Sequence, residues 1–182
     1  MKNASIFLVM AVAVVFAVTF TRPAWALGPL DIEVAARVGG ASNDAKDSTV
    51  NPLGFGLGGR AGVSCFGIYA GISGMYYLGG SENVEPKISF SSYLYGIEGG
   101  YNFKILLLTL RPTVEVGNYT VHVSFAGSGS SNTSNVYIEP GVTALLGFGL
   151  WFVGADANVF LTPGVSGSTA AFMANGQVGV KF

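Results

Sequence analysis

Apolar residues alternate with other residues along most of the chain after residue 30. Successive side chains of a β-strand point to opposite faces, so a period of two predicts strands. In the segment 151–161, for example, Trp151, Val153 and Val159 share one face while Asp156 lies on the other. Eight segments show this pattern, at approximately 30–39, 53–65, 68–78, 93–103, 106–117, 136–146, 151–161 and 170–182.

The connections between these segments alternate in length. Long polar connections are predicted near 41–52, 79–92, 118–135 and 162–169, and short turns near 66–67, 103–105 and 147–150. Long loops at one end and tight turns at the other are typical of a membrane-spanning barrel. The pattern therefore predicts an all-β protein, an eight-stranded antiparallel up-and-down transmembrane β-barrel.

Two prolines interrupt the predicted strands, Pro112 in the fifth segment and Pro140 in the sixth. Proline has no backbone N–H and cannot donate to the ladder of a sheet. We therefore expect a bulge or frayed pairing at each of these positions.

Composition supports a membrane protein without helices. Only 10% of the residues are charged, 50% are hydrophobic and 27 of the 182 are glycine, whereas a soluble domain has about 25% charged residues. This balance excludes disorder and a basic nucleic-acid-binding face. One cysteine and one histidine are too few for a disulfide framework or a metal site, and we predict no cofactor.

Charged residues within the eight segments all fall on the face opposite the apolar one. They are Asp31, Glu33, Arg37, Arg60, Glu98, Arg111, Glu115, Glu139, Asp156 and Lys181. Because Lys or Arg on a lipid-facing surface costs about 2–4 kcal/mol at mid-bilayer, the apolar face is predicted to contact lipid and the charges to line the lumen. A soluble barrel would have the reverse arrangement.

A narrow lumen requires its ionised side chains to find partners. The interior of an eight-stranded barrel is just wide enough for its own side chains, and a buried charge without a partner is costly. We therefore expect the three lumen arginines to pair with some of the lumen carboxylates. The predicted network consists of Glu33, Arg37, Arg60, Glu98, Arg111, Glu115, Glu139 and Asp156, with Lys181 near the inner rim.

Aromatic residues are predicted to form two girdles at the membrane interfaces, a feature of transmembrane β-barrels. The predicted outer girdle contains Phe55, Tyr76, Tyr93, Tyr95 and Phe172. The predicted inner girdle contains Tyr101, Phe103, Phe148, Trp151 and Phe182.

Residues 1–26 have the features of a secretory signal peptide. Lys2 precedes an apolar stretch at 6–20, and small residues, Ala24 and Ala26, precede the expected cleavage site. The alternative, an uncleaved helical anchor, is disfavoured because the apolar stretch is shorter than the roughly 20 residues that a span requires. We expect two parts, a cleaved segment at 1–26 and a barrel domain at 27–182.

Several short sequences resemble the small outer-membrane β-barrel family of Gram-negative bacteria, which includes the OmpA N-terminal barrel and OmpX. They lie at 96–103, 110–112 and 153–157, and the C-terminal Val178, Val180 and Phe182 resemble the family's assembly signal. The resemblance implies an integral outer-membrane protein that engages the outer-membrane assembly machinery during biogenesis. It also implies contact with outer-membrane lipid and lipopolysaccharide, and a monomer.

Three functions are compatible with such a barrel. We favour a non-enzymatic structural or surface-interaction role with a lumen filled by side chains. The first alternative is a narrow porin-like channel. The second is a lipid A acyl hydrolase, since some eight-stranded barrels carry a His-x-Ser pair and a Glu, and this chain has His122, Ser124 and Glu139. Glu139 lies on the face opposite His122 and Ser124, which disfavours this last function.

Overall fold

A computed structural model describes residues 30–42, 53–82, 88–125, 129–163 and 170–182. The predicted signal peptide, with Ala24 and Ala26, lies outside the described residues. The described residues contain no helix that is long and apolar enough to cross a membrane. Their strands are β1 (Leu30–Ala41), β2 (Phe55–Cys65), β3 (Ile68–Glu82), β4 (Ile88–Tyr101), β5 (Phe103–Ile105), β6 (Leu108–Phe125), β7 (Gly129–Phe148), β8 (Trp151–Phe160) and β9 (Ala171–Lys181).

These strands form one closed antiparallel sheet. Consecutive strands pair except β4 and β5; β4 pairs instead with β6, and β9 pairs with β1. β5 continues β4 after a single interruption at Asn102 and pairs with β6 in the same register. The described strands therefore make an eight-stranded up-and-down barrel, and the predicted fold class is confirmed.

The strand register determines the tilt of the barrel. A path that moves from each residue to its cross-strand partner starts at Asp31, goes once around the barrel and returns to β1 at Ala41. The offset of ten residues between Asp31 and Ala41 is the shear of the barrel. With ordinary strand spacings this shear gives a tilt of about 40°. Tyr93 and Phe103 of the two girdles are ten residues apart, about 33 Å along the strand and about 25 Å along the barrel axis. This separation matches the apolar band of an outer-membrane barrel, about 25 Å tall.

Both prolines interrupt the ladders without shifting the register. Opposite Pro112, the β4–β6 pairing stops at Gly100 and resumes at Phe103 with the same alignment. Near Pro140, the β7–β8 ladder stops at Gly141, and a single bridge follows between Ile138 and Leu161. The expected frayed pairing is confirmed at both sites, and neither pairing contains a bulge.

The three short turns lie at one end of the barrel. Phe66 and Gly67 both have positive φ and form the predicted turn between β2 and β3. The turn predicted at 103–105 is wrong, because these residues form β5 and the chain reverses at Leu106–Leu107. The third reversal, Gly149–Leu150, falls within the predicted range 147–150.

Two of the predicted long loops are largely strand. β3 and β4 extend into the predicted loop 79–92, and β6 and β7 occupy most of the predicted loop 118–135. Thr120 pairs with Tyr93 at the level of the outer girdle, and β6 continues five residues beyond it, about 17 Å along the strand. The connections predicted at 41–52 and 162–169 lie mostly outside the described residues.

We call the part of β3, β4, β6 and β7 that extends beyond the outer girdle the projecting sheet, residues 79–82, 88–92, 121–125 and 129–135. β7 forms one edge of the projecting sheet, and its first pairing with the neighbouring β8 side of the barrel is at Ile138. Within the described residues, the β7 backbone from Gly129 to Tyr137 thus pairs with β6 alone. Among the residues that the structure describes, β7 is therefore an unpaired edge of the projecting sheet.

The two faces of the wall differ in exposure as predicted. On β8, Phe152, Asp156, Asn158 and Phe160 are buried, whereas the alternate residues from Trp151 to Val159 are mostly exposed. The same alternation appears on the other long strands, where the exposed residues are predominantly apolar. The apolar face therefore forms the outer surface of the barrel and the polar face lines its lumen.

Candidate functional site: the filled lumen

Buried side chains fill the lumen in three layers. The outer apolar cluster, at the end away from the short turns, contains Leu53, Met75, Tyr77, Leu94, Tyr119, Tyr137, Phe160 and Met173. A charged layer lies in the middle of the lumen. A smaller apolar cluster of Ala35, Leu145 and Phe152 lies near the short turns.

Arg111 is fully buried and contacts Glu33, Asn102 and Tyr69. Its Nη2 donates to both carboxylate oxygens of Glu33 at 2.8 and 2.7 Å, and its Nε donates to Asn102 Oδ1 at 2.6 Å. The guanidinium carbon also lies 3.7 Å from the centroid of the Tyr69 ring. These contacts join four strands of the wall, since Glu33 lies on β1, Tyr69 on β3 and Asn102 between β4 and β5.

Arg60 forms the second ion pair. Its Nε and Nη2 donate to the two oxygens of Glu98 at 2.9 and 2.6 Å. Its Nη1 lies 3.4 Å from Gln177 Oε1 and 3.5 Å from Thr143 Oγ1 across the lumen. The planar fork of arginine suits this two-point contact with a carboxylate.

Arg37 lies beside three carboxylates. Its Nη2 donates to both oxygens of Asp156 at 3.1 and 2.8 Å, and its Nη1 is 4.0 Å from Glu115 Oε2. The third carboxylate, Glu139, accepts a hydrogen bond from Asn158 Nδ2 at 2.6 Å. This part of the charged layer therefore holds more carboxylates than cations.

A smaller ionic group lies at the inner rim. Lys181 Nζ is 2.9 Å from Asp31 Oδ2 and 3.5 Å from Glu33 Oε1. Lys104 Nζ, whose side chain is largely exposed, is 3.1 Å from the same Asp31 oxygen. The sequence pattern predicts a turn at Lys104, whereas the residue lies on β5 and contributes to this rim.

Sequence reasoning missed the neutral polar residues of the charged layer. Asn102, Asn158 and Asn175 each bond a charged residue, Asn175 through its Nδ2 to Asp156 at 2.8 Å. Tyr137 donates to Glu115, and Ser73 donates to the same carboxylate. All of them share the inward face with the charges, and this alternation was the signal that could have identified them.

The residues of the hydrolase alternative are not brought together. His122 contacts Asn132 on the projecting sheet, at 2.5 Å from Nδ1 to Oδ1. Glu139 pairs across the sheet with Glu115, which is seven residues from His122 on β6, or about 23 Å. Within the described residues, no three His, Cys, Asp or Glu side chains are grouped to hold a metal ion.

The three residues of the predicted C-terminal assembly signal lie at the inner end of the barrel beside β1. Val178 and Val180 share the outward face, but Val178 is half exposed and Val180 is only 6% exposed between its cross-strand neighbours Val34 and Trp151. The backbone of Phe182 exchanges two hydrogen bonds with Ile32, each 2.9 Å long. The ladder with β1 thus extends to Phe182.

No family model and no curated protein sequence matches this chain. Solved structures do match it. The N-terminal barrel domain of Pseudomonas aeruginosa OprF is 16% identical with a TM-score of 0.58, covering 84% of this chain and 97% of that one. Neisserial surface protein A is 13% identical with a TM-score of 0.59, covering 85% and 96%.

Ail, the attachment invasion locus protein of Yersinia pestis, solved with the heparin analogue sucrose octasulfate, is also similar. It is 15% identical with a TM-score of 0.56, covering 84% of this chain and 97% of that one. The closed barrel of this chain agrees with these structures in fold. This chain therefore has the fold of the small eight-stranded outer-membrane barrels and is an integral barrel of the bacterial outer membrane.

Proposed function

We propose that this protein is a non-enzymatic, non-conducting outer-membrane barrel that acts through its projecting sheet at the cell surface. The filled lumen is the observation that carries the proposal. Tyr77, Tyr137 and Met173 of the outer apolar cluster are each at most 1% exposed. An aqueous path would have to cross this cluster and then the ion pairs below it.

The projecting sheet supports a role in surface interaction. The described side chains of its β7 edge, from Ser130 to Ser134, are hydroxyls and one amide, and all are exposed. Natural edge strands are commonly protected by lysine, proline or a bulge, and this edge has none of these. An unprotected edge can add an extended segment of another protein as a further strand.

Three partners complete the proposal. The C-terminal Val178, Val180 and Phe182 are proposed to engage the outer-membrane assembly machinery during biogenesis. The outward apolar face is proposed to contact outer-membrane lipid and lipopolysaccharide. We propose a monomer, because the closed barrel leaves no unpaired strand within the membrane band of the described residues.

Planar-bilayer recording tests the closed lumen. Insertion is verified first by the different gel mobilities of boiled and unboiled protein. We expect no steady conductance from the wild type, because the apolar cluster and the ion pairs close the lumen in series. A stable ohmic channel would contradict this part of the proposal and favour the porin-like alternative.

A shortened hairpin tests the role of the projecting sheet. Residues 122–132 begin and end at the cross-strand pair His122–Asn132, so their replacement by a two-residue turn leaves the remaining register intact. Cells that produce this variant are expected to lose adhesion to immobilised host-surface proteins, while barrel yield and gel mobility stay unchanged. Equal adhesion of both strains would contradict the surface role.

A further inference from the structure

The three short turns at the inner end of the barrel, which we call the turn end, contain no polar side chain. Their residues are Phe66, Gly67, Leu106, Leu107, Gly149 and Leu150. The four large side chains among them are each more than half exposed, and Leu106 is fully exposed. Turns that face water are usually built from glycine, proline, asparagine, aspartate and serine. The composition of these turns therefore indicates surroundings other than water.

The geometry of the turns does not account for these residues. Phe66 and Leu106 have φ values of 52° and 55°, in the left-handed region, where a bulky side chain is unfavourable. Two-residue hairpin turns normally place glycine, asparagine or aspartate at such positions. The turns themselves therefore gain nothing from apolar side chains at Phe66 and Leu106.

The lipid-facing surface continues into the turn end without a polar border. On β4 and β5 the outward residues Tyr101, Phe103 and Ile105 are all exposed and lead directly to Leu106. At the outer end, in contrast, the outward face of β6 becomes polar at Asn118. Leu106 lies three residues beyond Phe103 of the inner girdle, about 10 Å along the strand and about 8 Å along the axis of the tilted barrel. Since the headgroup layer of a bilayer is about 5–8 Å thick, Leu106 lies at the level of the inner-leaflet headgroups.

The turn end also carries an excess of positive charge. A depression of about 270 Å³ lies between the β5–β6 and β7–β8 turns and is lined by Lys104 and Lys181. Both lysines contact Asp31, at 3.1 and 2.9 Å. Lys181 is also 3.5 Å from Glu33, which is already paired with Arg111. Among the described side chains of this group, three cations face two carboxylates, and the excess charge suits a phosphate, for which lysine is a common ligand.

We propose that the turn end is a binding surface for phospholipids of the inner leaflet. The apolar side chains of the turns insert among the headgroups, and the phosphate of an anionic lipid lies against Lys104 and Lys181. Phospholipid is the occupant that we favour because the lipid-facing surface of the barrel continues into the turns and ends beside these two lysines. The proposal rests on the proposed lipid contact of the outward face, and gel mobility tests membrane insertion separately.

Fluorescence quenching in vesicles tests the insertion of the turns. The single cysteine of the chain is removed by Cys65→Ser, and a fluorophore is attached to Leu106→Cys or, as a control, to Ser130→Cys. Ser130 is exposed and lies four residues beyond Ser134, which is at the level of the outer girdle. The barrel is purified from outer membranes and reconstituted in vesicles of phosphatidylcholine and phosphatidylglycerol.

A nitroxide on the lipid headgroup should quench the Leu106 label about twofold or more strongly than the Ser130 label, because only the turn end is apolar. These vesicles contain no other protein, so a protein partner cannot produce this difference. Leu107→Cys carries the label if Leu106→Cys shows unfolded gel mobility. A smaller or reversed difference would overturn the proposal, whereas failure of the unlabelled wild type to insert would contradict the membrane location itself.

Lys104→Gln tests the phosphate contact. The Leu106 label is quenched in separate samples by phosphatidylglycerol and by phosphatidylcholine that carry the same chain nitroxide. We expect phosphatidylglycerol to quench about twofold more strongly when Lys104 is present. Lys104→Gln should remove most of this preference, and Lys104→Arg should keep it. Equal quenching by the two lipids with Lys104 present, or an unchanged preference in Lys104→Gln, would overturn the assignment of an anionic lipid to the depression.

Discussion

Ala157 and Asn158 are adjacent on β8 but face different environments. Ala157 is exposed on the apolar outer surface, whereas Asn158 is 5% exposed and bonds Glu139 in the lumen. The outer face constrains mainly the chemistry of a side chain, because lipid accepts apolar groups of many sizes. The lumen constrains both charge and shape, because its side chains pack closely against one another and buried charges need partners.

Glycine shows the same contrast on β4. A Cβ on the inward Gly100 would lie 2.6 Å from the backbone oxygen of Pro112 and 3.1 Å from the Arg111 side chain. A Cβ on the adjacent outward Gly99 would have its nearest neighbour, the backbone oxygen of Tyr69, at 3.9 Å. The inward glycine is required for close packing, and the outward one is not.

The largest effect is expected from Arg111→Leu. The change leaves Glu33 without its principal partner and removes the contacts with Asn102 and Tyr69. Removal of one member of a buried ion pair typically costs about 3–5 kcal/mol. The free energy of unfolding, measured by urea titration in lipid vesicles, should fall by about this amount.

A double variant separates lost pairing from lost packing in that experiment. Arg111→Leu combined with Glu33→Leu removes both charges, and replacement of a buried pair by apolar residues is often nearly neutral. We expect the double variant to recover much of the lost stability. An Arg111→Leu protein as stable as wild type would show that the pair is unimportant for the folded state.

Lysine at the two adjacent β8 positions gives the next largest effect. Ala157→Lys places a charge in the lipid-facing band, at a cost of about 2–4 kcal/mol near mid-bilayer. Asn158→Lys places the same charge beside Glu139 and Asp156, where carboxylates outnumber cations. We expect the Ala157 variant to fold less completely in vesicles, as judged by unboiled gel mobility, and equal folding of the two would refute the assigned faces.

Alanine at the two β4 glycines should produce a smaller difference. Gly100→Ala overpacks the lumen beside Arg111, and overpacking typically costs about 1–3 kcal/mol. Gly99→Ala adds a methyl group toward lipid and should leave the free energy of unfolding almost unchanged. Similar urea midpoints for the two variants would mean that the lumen wall moves to accept the extra carbon.

Most of the membrane-spanning fold could be predicted from sequence because lipid imposes a strict alternation. The faces of Trp151–Phe160 and the interruption at Pro140 follow from apolar periodicity and from the missing N–H group. Past the predicted end of the fifth segment, the apolar residues Tyr119, Val121 and Val123 have the opposite parity to Val114 and Val116, so the lipid-facing alternation ends there although β6 continues to Phe125. Residues 130–135 carry no apolar alternation, so their strand could not be found in this way.

The lumen could be predicted only in outline. Inward parity identified Arg37, Arg60 and Arg111 as lumen residues, but it could not say which carboxylate each would contact. The partner depends on the shear of the barrel, which brings Glu33 of β1 opposite Arg111 of β6. That shear is a property of the closed sheet and has no local sequence signal.

The smallest change in the folded barrel is expected from Phe182→Ser, because the backbone of residue 182 can still pair with Ile32. If the aromatic ring is read by the assembly machinery, the amount in the outer membrane should fall severalfold, and Phe182→Tyr should restore it. Refolding into vesicles needs no such machinery, so the yield of Phe182→Ser there should match wild type. Equal losses in cells and in vesicles would instead assign Phe182 to barrel stability, and normal yield in cells would exclude a role of its side chain in assembly.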